Sequence, residues 1–327
     1  MSVKNLSRYT YFSQSMNAPK RLRPGDTIGI VSTSSPTTAE AVGNMKRYFE
    51  KRGYFVKVAP NTLTKFGFLA GTNKQRANDF NLMLRDADVR MIVTSMGGTG
   101  AAHLLPLIDY EALSSNPKIV TGLSDPAILL NAISRVTEVP TFHGPNGVEF
   151  GEGPLTRFCE ENFWPMVSEN LRIPYVFPVG DCMRILREGG AVEGRLFGGH
   201  QRTIQPLIGS RYEPDWKDSV LFIEEIGGTL ISQYGLISVD KVLAHFKLAG
   251  VFDSIRGLIV GSPAESYEVN VETLEDIVLR HCEGYNFPIV ANVPIGHTDD
   301  KITVPIGCRV RLDTKKPSFE LLESPTC

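Results

Sequence analysis
From Thr27 to Gly122, short β-branched runs alternate with amphipathic stretches of helical period, and this alternation limits the fold more than any other feature of the chain. "GDTIGIVS" contains a Gly25-Asp26 turn and then reads as a strand. "TTAEAVGNMKRYFEKRG" reads as a helix with Thr37 or Thr38 as cap, Val42, Met45 and Phe49 on one face, and Gly53 as stop. The pattern repeats as strand "YFVKVA", helix "NKQRANDFNLMLRD" with Ala77, Phe80 and Leu84 inward, strand "VRMIVTS", short helix "GAAHLLPLI" and strand "KIVTG". Strands this apolar do not face water, so the pattern predicts an α/β fold with a mostly parallel sheet covered on both sides. Sites in such sheets form at the carboxyl ends of the strands, where "SMGGTG" (Ser95 to Gly100) and Ser124 both fall.

Around "FWPMVSENLRIPYVFPVGD" the alternation breaks and Pro165, Pro174 and Pro178 gather, which marks the passage to a second unit. The chain divides into an N-terminal extension (1–20), a first domain (21–165), a linker (166–189) and a C-terminal domain (190–327). The last contains "GAVEGRLFGG", a buried strand "SVLFIEE" ending in two acids, helix "VDKVLAHFKLAG", strand "IRGLIVGS", helix "NVETLEDIVLRHC", strand "PIVANVPIG" and a β-rich tail "KITVPIGCRVRLD". A net charge of -2 gives no long-range attraction for nucleic acid or an anionic membrane, so the expected partner is a small or neutral molecule. Five scattered cysteines without a CxxC pair indicate neither a disulfide framework nor a zinc site, and fit reduced thiols in a cytoplasm. The polar start "MSVKNLSRYTYFSQSMNAPKRL" lacks a signal-peptide core, and no run of about 18 apolar residues occurs, so the expectation is a soluble cytoplasmic protein.

Ser124 stands in "TGLSDP", between the apolar "KIV" and the helix-spaced "AILLNAI". Ser and Asp cap helices and Pro suits a first turn, so the stretch reads as a plain helix start; it also fits a nucleophile elbow. "SMGGTG" lacks the residues of a nucleotide-phosphate loop, but its glycines expose backbone N–H groups that would serve as an oxyanion hole, or simply make a tight turn. Glu224 and Glu225 end a strand and should point opposite ways, so at most one faces a given site; a solvated strand end is the simpler reading. "PIGHTDDK" puts His297 just past a strand, and Asp299 and Asp300 beside it lack the further ligands a metal site needs. His143 in "TFHGPNG" and His200 in "FGGHQR" read as loop residues able to line a pocket. Ser124, Glu224 and His297 thus come in the order nucleophile, acid, base, the three types that serine hydrolysis requires.

These motifs resemble the LD-carboxypeptidase family of serine peptidases, and within it the microcin C immunity group. The resemblance rests on "RLRPGDTIGIVSTSSP", "NPKIVTGLSDPAILLNAI", "PTFHGP", "GRLFGGHQRTIQPLIGS", "LFIEE" and "PIVANVPIGHTDDKITVPIG", in family order from about Arg21 to Gly307. It implies a Rossmann-like (flavodoxin-like) N-terminal domain, a smaller C-terminal α/β domain, a triad shared between them, and a homodimer. It assigns Ser124 as nucleophile, His297 as general base and Glu224 as the acid orienting it. Backbone N–H groups of Gly98 and Asp125 become the oxyanion donors, with Gly97 the alternative to Gly98, and no metal or organic cofactor is required.

Peptidoglycan-recycling members of that family commonly read Arg-Gly-Gly where this chain has Met96-Gly97-Gly98, and "GLSD" replaces the more usual "GYSD". Loss of the arginine argues against an anionic muropeptide and for the immunity branch. The expected activity is therefore amide hydrolysis in a small peptidyl or aminoacyl conjugate, such as an aminoacyl-nucleotide. The rivals are a murein tetrapeptide LD-carboxypeptidase releasing D-alanine and a catalytically silent binding protein. Phe163, Trp164 and Trp216 are the aromatic residues available to stack on a nucleotide, if any loop brings one to the pocket.

Overall fold
Two sheets organise the chain in the computed structural model, which describes residues 16–151, 155–230, 232–262 and 273–327. The first contains β1 (Thr27–Val31), β2 (Phe55–Val58), β3 (Val89–Thr94), β4 (Ile119–Gly122) and β5 (Thr141–His143), all mutually parallel. The second contains β6 (Tyr175–Val176), β7 (Arg184–Arg187), β8 (Ala191–His200), β9 (Val220–Glu224), β10 (Gly257–Gly261) and β11 (Ile289–Val293). After these the chain leaves for β12 (Val304–Ile306) and then returns for β13 (Arg309–Asp313) and β14 (Ser318–Leu321). The orders are β12-β5-β4-β3-β1-β2 and β6-β14-β13-β8-β9-β10-β11-β7, with β8 to β11 parallel. The fold is thus α/β, with a mostly parallel first sheet.

The local causes are those the sequence announces. Thr38 accepts the Ala41 N–H and starts the helix Ala39–Lys51, whose Val42, Met45 and Phe49 are buried. Thr72 and Gln75 form a reciprocal capping box for the helix Asn73–Arg85, which buries Ala77, Phe80 and Leu84. Each large apolar side chain so buried contributes about 1.5–3 kcal/mol. β2 departs from the expectation that every strand is covered: it is the sheet edge, and Phe55 is 68% exposed. "GAAHLLPLI" forms a 3-10 turn, Ala101–Leu107, with Pro106 inside it.

Three stretches differ from the sequence boundaries. The helix Arg157–Ser168 runs on through Pro165, and residues 166–189, read as a linker, supply β6 and β7, which close the two edges of the second sheet. The sequence assigns 190–327 to one C-terminal unit, yet β12 pairs antiparallel with β5 at the edge of the first sheet. Of the expected extension, residues 1–15 lie outside the described residues. The rest is tied down: Cys327 N–H donates to Pro19 C=O, and Arg21 N–H to Cys327 C=O. The expected helix "NVETLEDIVLRHC" begins outside the described residues and is seen as Leu274–His281. The return of β12 matters most, because it strings residues 294–303, His297 among them, between the two sheets.

Candidate active site
β4 ends at Gly122, and the chain reverses through Leu123 and Ser124 into the helix Ala127–Thr137, with Pro126 at its N-cap. Ser124 takes φ 70°, a left-handed conformation that a non-glycine residue adopts at a cost of about 1–3 kcal/mol. Its surroundings hold it there. Asn146 grips the main chain of Leu123 from both sides: its Oδ1 accepts the Leu123 N–H (3.1 Å) and its Nδ2 donates to the Leu123 C=O (3.1 Å). Asp125 accepts the Ala101 N–H (2.8 Å), and fully buried Arg76 donates to the C=O groups of Gly100 (2.9 Å) and Thr33. The glycine turn is thereby locked against the elbow. A Cβ at Gly97 would lie 2.8 Å from Ser124 Cβ, and one at Gly98, where φ is +112°, would strike Ser35. Ser35 N–H donates to the Gly97 C=O (3.2 Å), so across that trans peptide the Gly98 N–H points the other way.

Glu224 and Glu225, whose simplest reading from strand pattern alone is a solvated strand end, are both 1% exposed, and alternation sends them to different partners. Glu224 Oε2 accepts from His297 Nδ1 (2.7 Å) and from the His297 backbone N–H (3.3 Å). An ionised carboxylate only accepts, so the proton sits on Nδ1. Burial opposes charge on both residues, but the hydrogen bond and mutual attraction outweigh it: the His297 pKa is raised and that of Glu224 lowered. Glu225 accepts from His200 Nε2 (2.9 Å), Arg202 (2.7 Å) and the Ile226 N–H (2.9 Å). Against the penalty of burial, these partners hold its pKa down at about 2.

Ser124 and His297 line one cavity of about 340 Å³, together with Met96, Gly97, Gly98 and Leu123. Larger cavities of about 580 and 450 Å³ lie elsewhere, and neither is lined by a histidine. Two expected pocket residues are corrected. His143 ends β5 and is fully buried, so it cannot touch a ligand; the pairing of β5 with both β4 and β12 encloses it. His200 ends β8, bonds Glu225 and Thr203, and packs its ring against His297 (centroids 5.5 Å) rather than lining the cavity. None of the three aromatics lines the cavity: Phe163 and Trp164 pack with Tyr48, Tyr54, Phe49 and Phe150, and Trp216 bonds Glu213. The sequence reading passed over Asn146, Glu149 and Lys301. Lys301 Nζ donates to Glu149 Oε1 (2.5 Å), and Glu149 Oε2 accepts the Asn146 N–H (2.7 Å), which ties the His297 loop to the elbow. Asn146 and Lys301 stand in "HGPNG" and "HTDDK", motifs that drew attention only for the histidines and aspartates, and Glu149 follows two residues after the first.

A serine on a strained strand-to-helix turn, sharing a cavity with a histidine held by a buried glutamate, has the make-up of a serine-type hydrolase. Residues 28–144 match the LD-carboxypeptidase N-terminal domain and residues 193–312 the LD-carboxypeptidase C-terminal domain. The chain belongs to the LD-carboxypeptidase family, and so to the serine-type carboxypeptidases. It is 28% identical to the Microcin C7 self-immunity protein MccF of Escherichia coli, over 92% of this chain and 94% of that protein. The Bacillus subtilis protein named "Probable murein peptide carboxypeptidase" is 27% identical over 90% of this chain and 91% of its own. The structure of MccF in complex with glutamyl sulfamoyl guanosine superposes with a TM-score of 0.85 at 26% identity, covering 95% of this chain and 99% of the other.

Proposed function
We propose that this protein hydrolyses the amide bond of a small aminoacyl or peptidyl conjugate, of the aminoacyl-nucleotide kind, through a Ser124–His297–Glu224 triad. Ser124 Oγ attacks the carbonyl carbon while His297 Nε2 takes its proton. The leaving nitrogen departs with that proton, and water, deprotonated by the same imidazole, releases the acyl group from Ser124. Glu224 fixes the tautomer and stabilises the imidazolium. The N–H groups of Gly98 and Asp125 receive the charge that develops on the carbonyl oxygen. The observation that carries the reading is that the strained Ser124 and the Glu224-held His297 open onto the same cavity, of small-molecule size.

Two observations support the substrate class. Met96 lines the cavity where an arginine would clamp a muropeptide carboxylate, and the related MccF binds glutamyl sulfamoyl guanosine. Among the described residues no helix is long and apolar enough to cross a membrane. A cytoplasmic location and a homodimer, the latter read by light scattering, belong to the same proposal. The test runs the purified protein on an aminoacyl sulfamoyl adenosine and on a murein tetrapeptide at equal concentration, with products read by mass spectrometry. Release of sulfamoyl adenosine is expected to be the faster. Faster D-alanine release would move the assignment to murein tetrapeptide trimming. Inertness toward both, with no fluorophosphonate labelling of Ser124, would leave a binding protein.

A further inference from the structure
Behind the acid, two buried polar groups face each other unpaired. Glu224 spends Oε2 on both bonds from His297, while its Oε1 accepts nothing from the described residues. His143 has no hydrogen-bond partner at either ring nitrogen among those residues, and its Nε2 lies 3.9 Å from Glu224 Oε1. Both side chains are wholly enclosed. Such a gap exceeds a direct hydrogen bond, yet an unpaired buried carboxylate oxygen is costly, so the two groups have reason to be joined. The ring is fixed from several sides. It meets Phe222 of β9 edge to face at 5.1 Å, and a Cβ at Gly199 would come within 3.6 Å of its Cε1. Burial, against the pull of Glu224, pushes the His143 pKa down to about 4, so the ring is neutral and carries one N–H. Because the carboxylate can only accept, the tautomer that satisfies it has that proton on Nε2.

We infer that His143 is a positioning residue, whose Nε2–H holds Glu224 Oε1, after a small rotation or through one internal water, and so keeps Oε2 aimed at His297. It would brace the acid from the first sheet while the base approaches from the inter-sheet loop. The inference rests on the reading of Glu224 and His297 as acid and base. Two variants separate positioning from space filling. In His143→Gln the amide reaches the place of Nε2, whereas in His143→Asn it reaches only that of Nδ1. Turnover of the aminoacyl sulfamoyl adenosine should stay within about threefold of wild type in His143→Gln and fall about 10- to 100-fold in kcat, at nearly constant KM, in His143→Asn. The far-downfield proton resonance of the His297–Glu224 hydrogen bond should persist in the first variant and shift or vanish in the second. Equal losses in the two, tracking their melting temperatures, or an unchanged resonance in His143→Asn, would overturn the role. The resonance needs no substrate: a wild type inert toward the probe would defeat the functional reading, while the proton signal would still decide on His143.

Discussion

At one strand end Glu224 holds His297 and Glu225 holds His200, and the two imidazoles meet at 68° with centroids 5.5 Å apart. The residue types are the same, but the second nitrogen of each histidine has a different fate. His200 gives Nε2 to Glu225 and Nδ1 to Thr203, so both of its nitrogens are committed. His297 commits Nδ1 to Glu224 and lines the cavity beside Ser124, so in the proposed triad Nε2 is the nitrogen that takes the proton. The acids differ as well. Glu225 shares its charge with Arg202, Gln201 and the Ile226 N–H, whereas Glu224 receives hydrogen bonds only from His297 among the described residues. A histidine–glutamate pair becomes a proton shuttle only where one nitrogen stays uncommitted; otherwise it is a buried brace.

Substitution of the proposed nucleophile sets the scale for that contrast. Ser124→Ala should lower kcat by about four to six orders of magnitude with little change in melting temperature. Retention of a tenth of the activity would remove the reason for ranking the two pairs at all. Within that range, Glu224→Gln should cost about 10³- to 10⁴-fold in kcat, while Glu225→Gln should cost less than about tenfold but lower the melting temperature. The reverse order, measured by steady-state kinetics and thermal denaturation, would exchange the roles of the two pairs. The smallest effects are in pH. His297 must be neutral to accept a proton, and its raised pKa should put the acid limb of kcat/KM above the ordinary imidazole value of about 6.5. Glu225 is lowered from 4.5 to about 2, so its contribution to stability is whole above 4.5 and disappears as pH falls through about 2. Acid unfolding followed by circular dichroism should show that dependence in wild type and lose it in Glu225→Gln.

Much of the first sheet was legible because its causes are local. The 3.6-residue spacing of Val42, Met45 and Phe49, the Thr38 cap and the β-branched run "TIGIV" each act within a few residues. The Ser124 elbow was half legible, since its dipeptide neighbours also suit an ordinary helix start; the φ of 70° is held in part by Asn146, which clasps Leu123 from 23 positions away. Three features required the folded chain. Strand pattern alone did not tell Glu224 from a solvated acid, and only the family motif "LFIEE" singled it out; its burial comes from β8 and β10, which enclose it on either side. His143 looked like a pocket residue because "TFHGPNG" is rich in turn formers, and nothing nearby announces that β12 will cover it. Trp164 offered an aromatic face to any ligand, but its stacking on Tyr54 spends it on the core.

The departure of β12 to the first sheet has a genetic consequence. The segment that bears His297 is anchored at Val293 in one sheet and at Val304 in the other, so its tension depends on how the two halves are seated. A fragment stopping before Val304 would leave β5 with a raw edge and the histidine on a loose end. Two halves produced as separate polypeptides would regain the chemistry only by trading that strand. Recombination that shuffles the two family domains as cassettes therefore has to carry residues 294–306 with both parents' surfaces in mind, and the transferable unit of this catalyst is no shorter than the span from the glycine turn at Gly97 and Gly98 to β12.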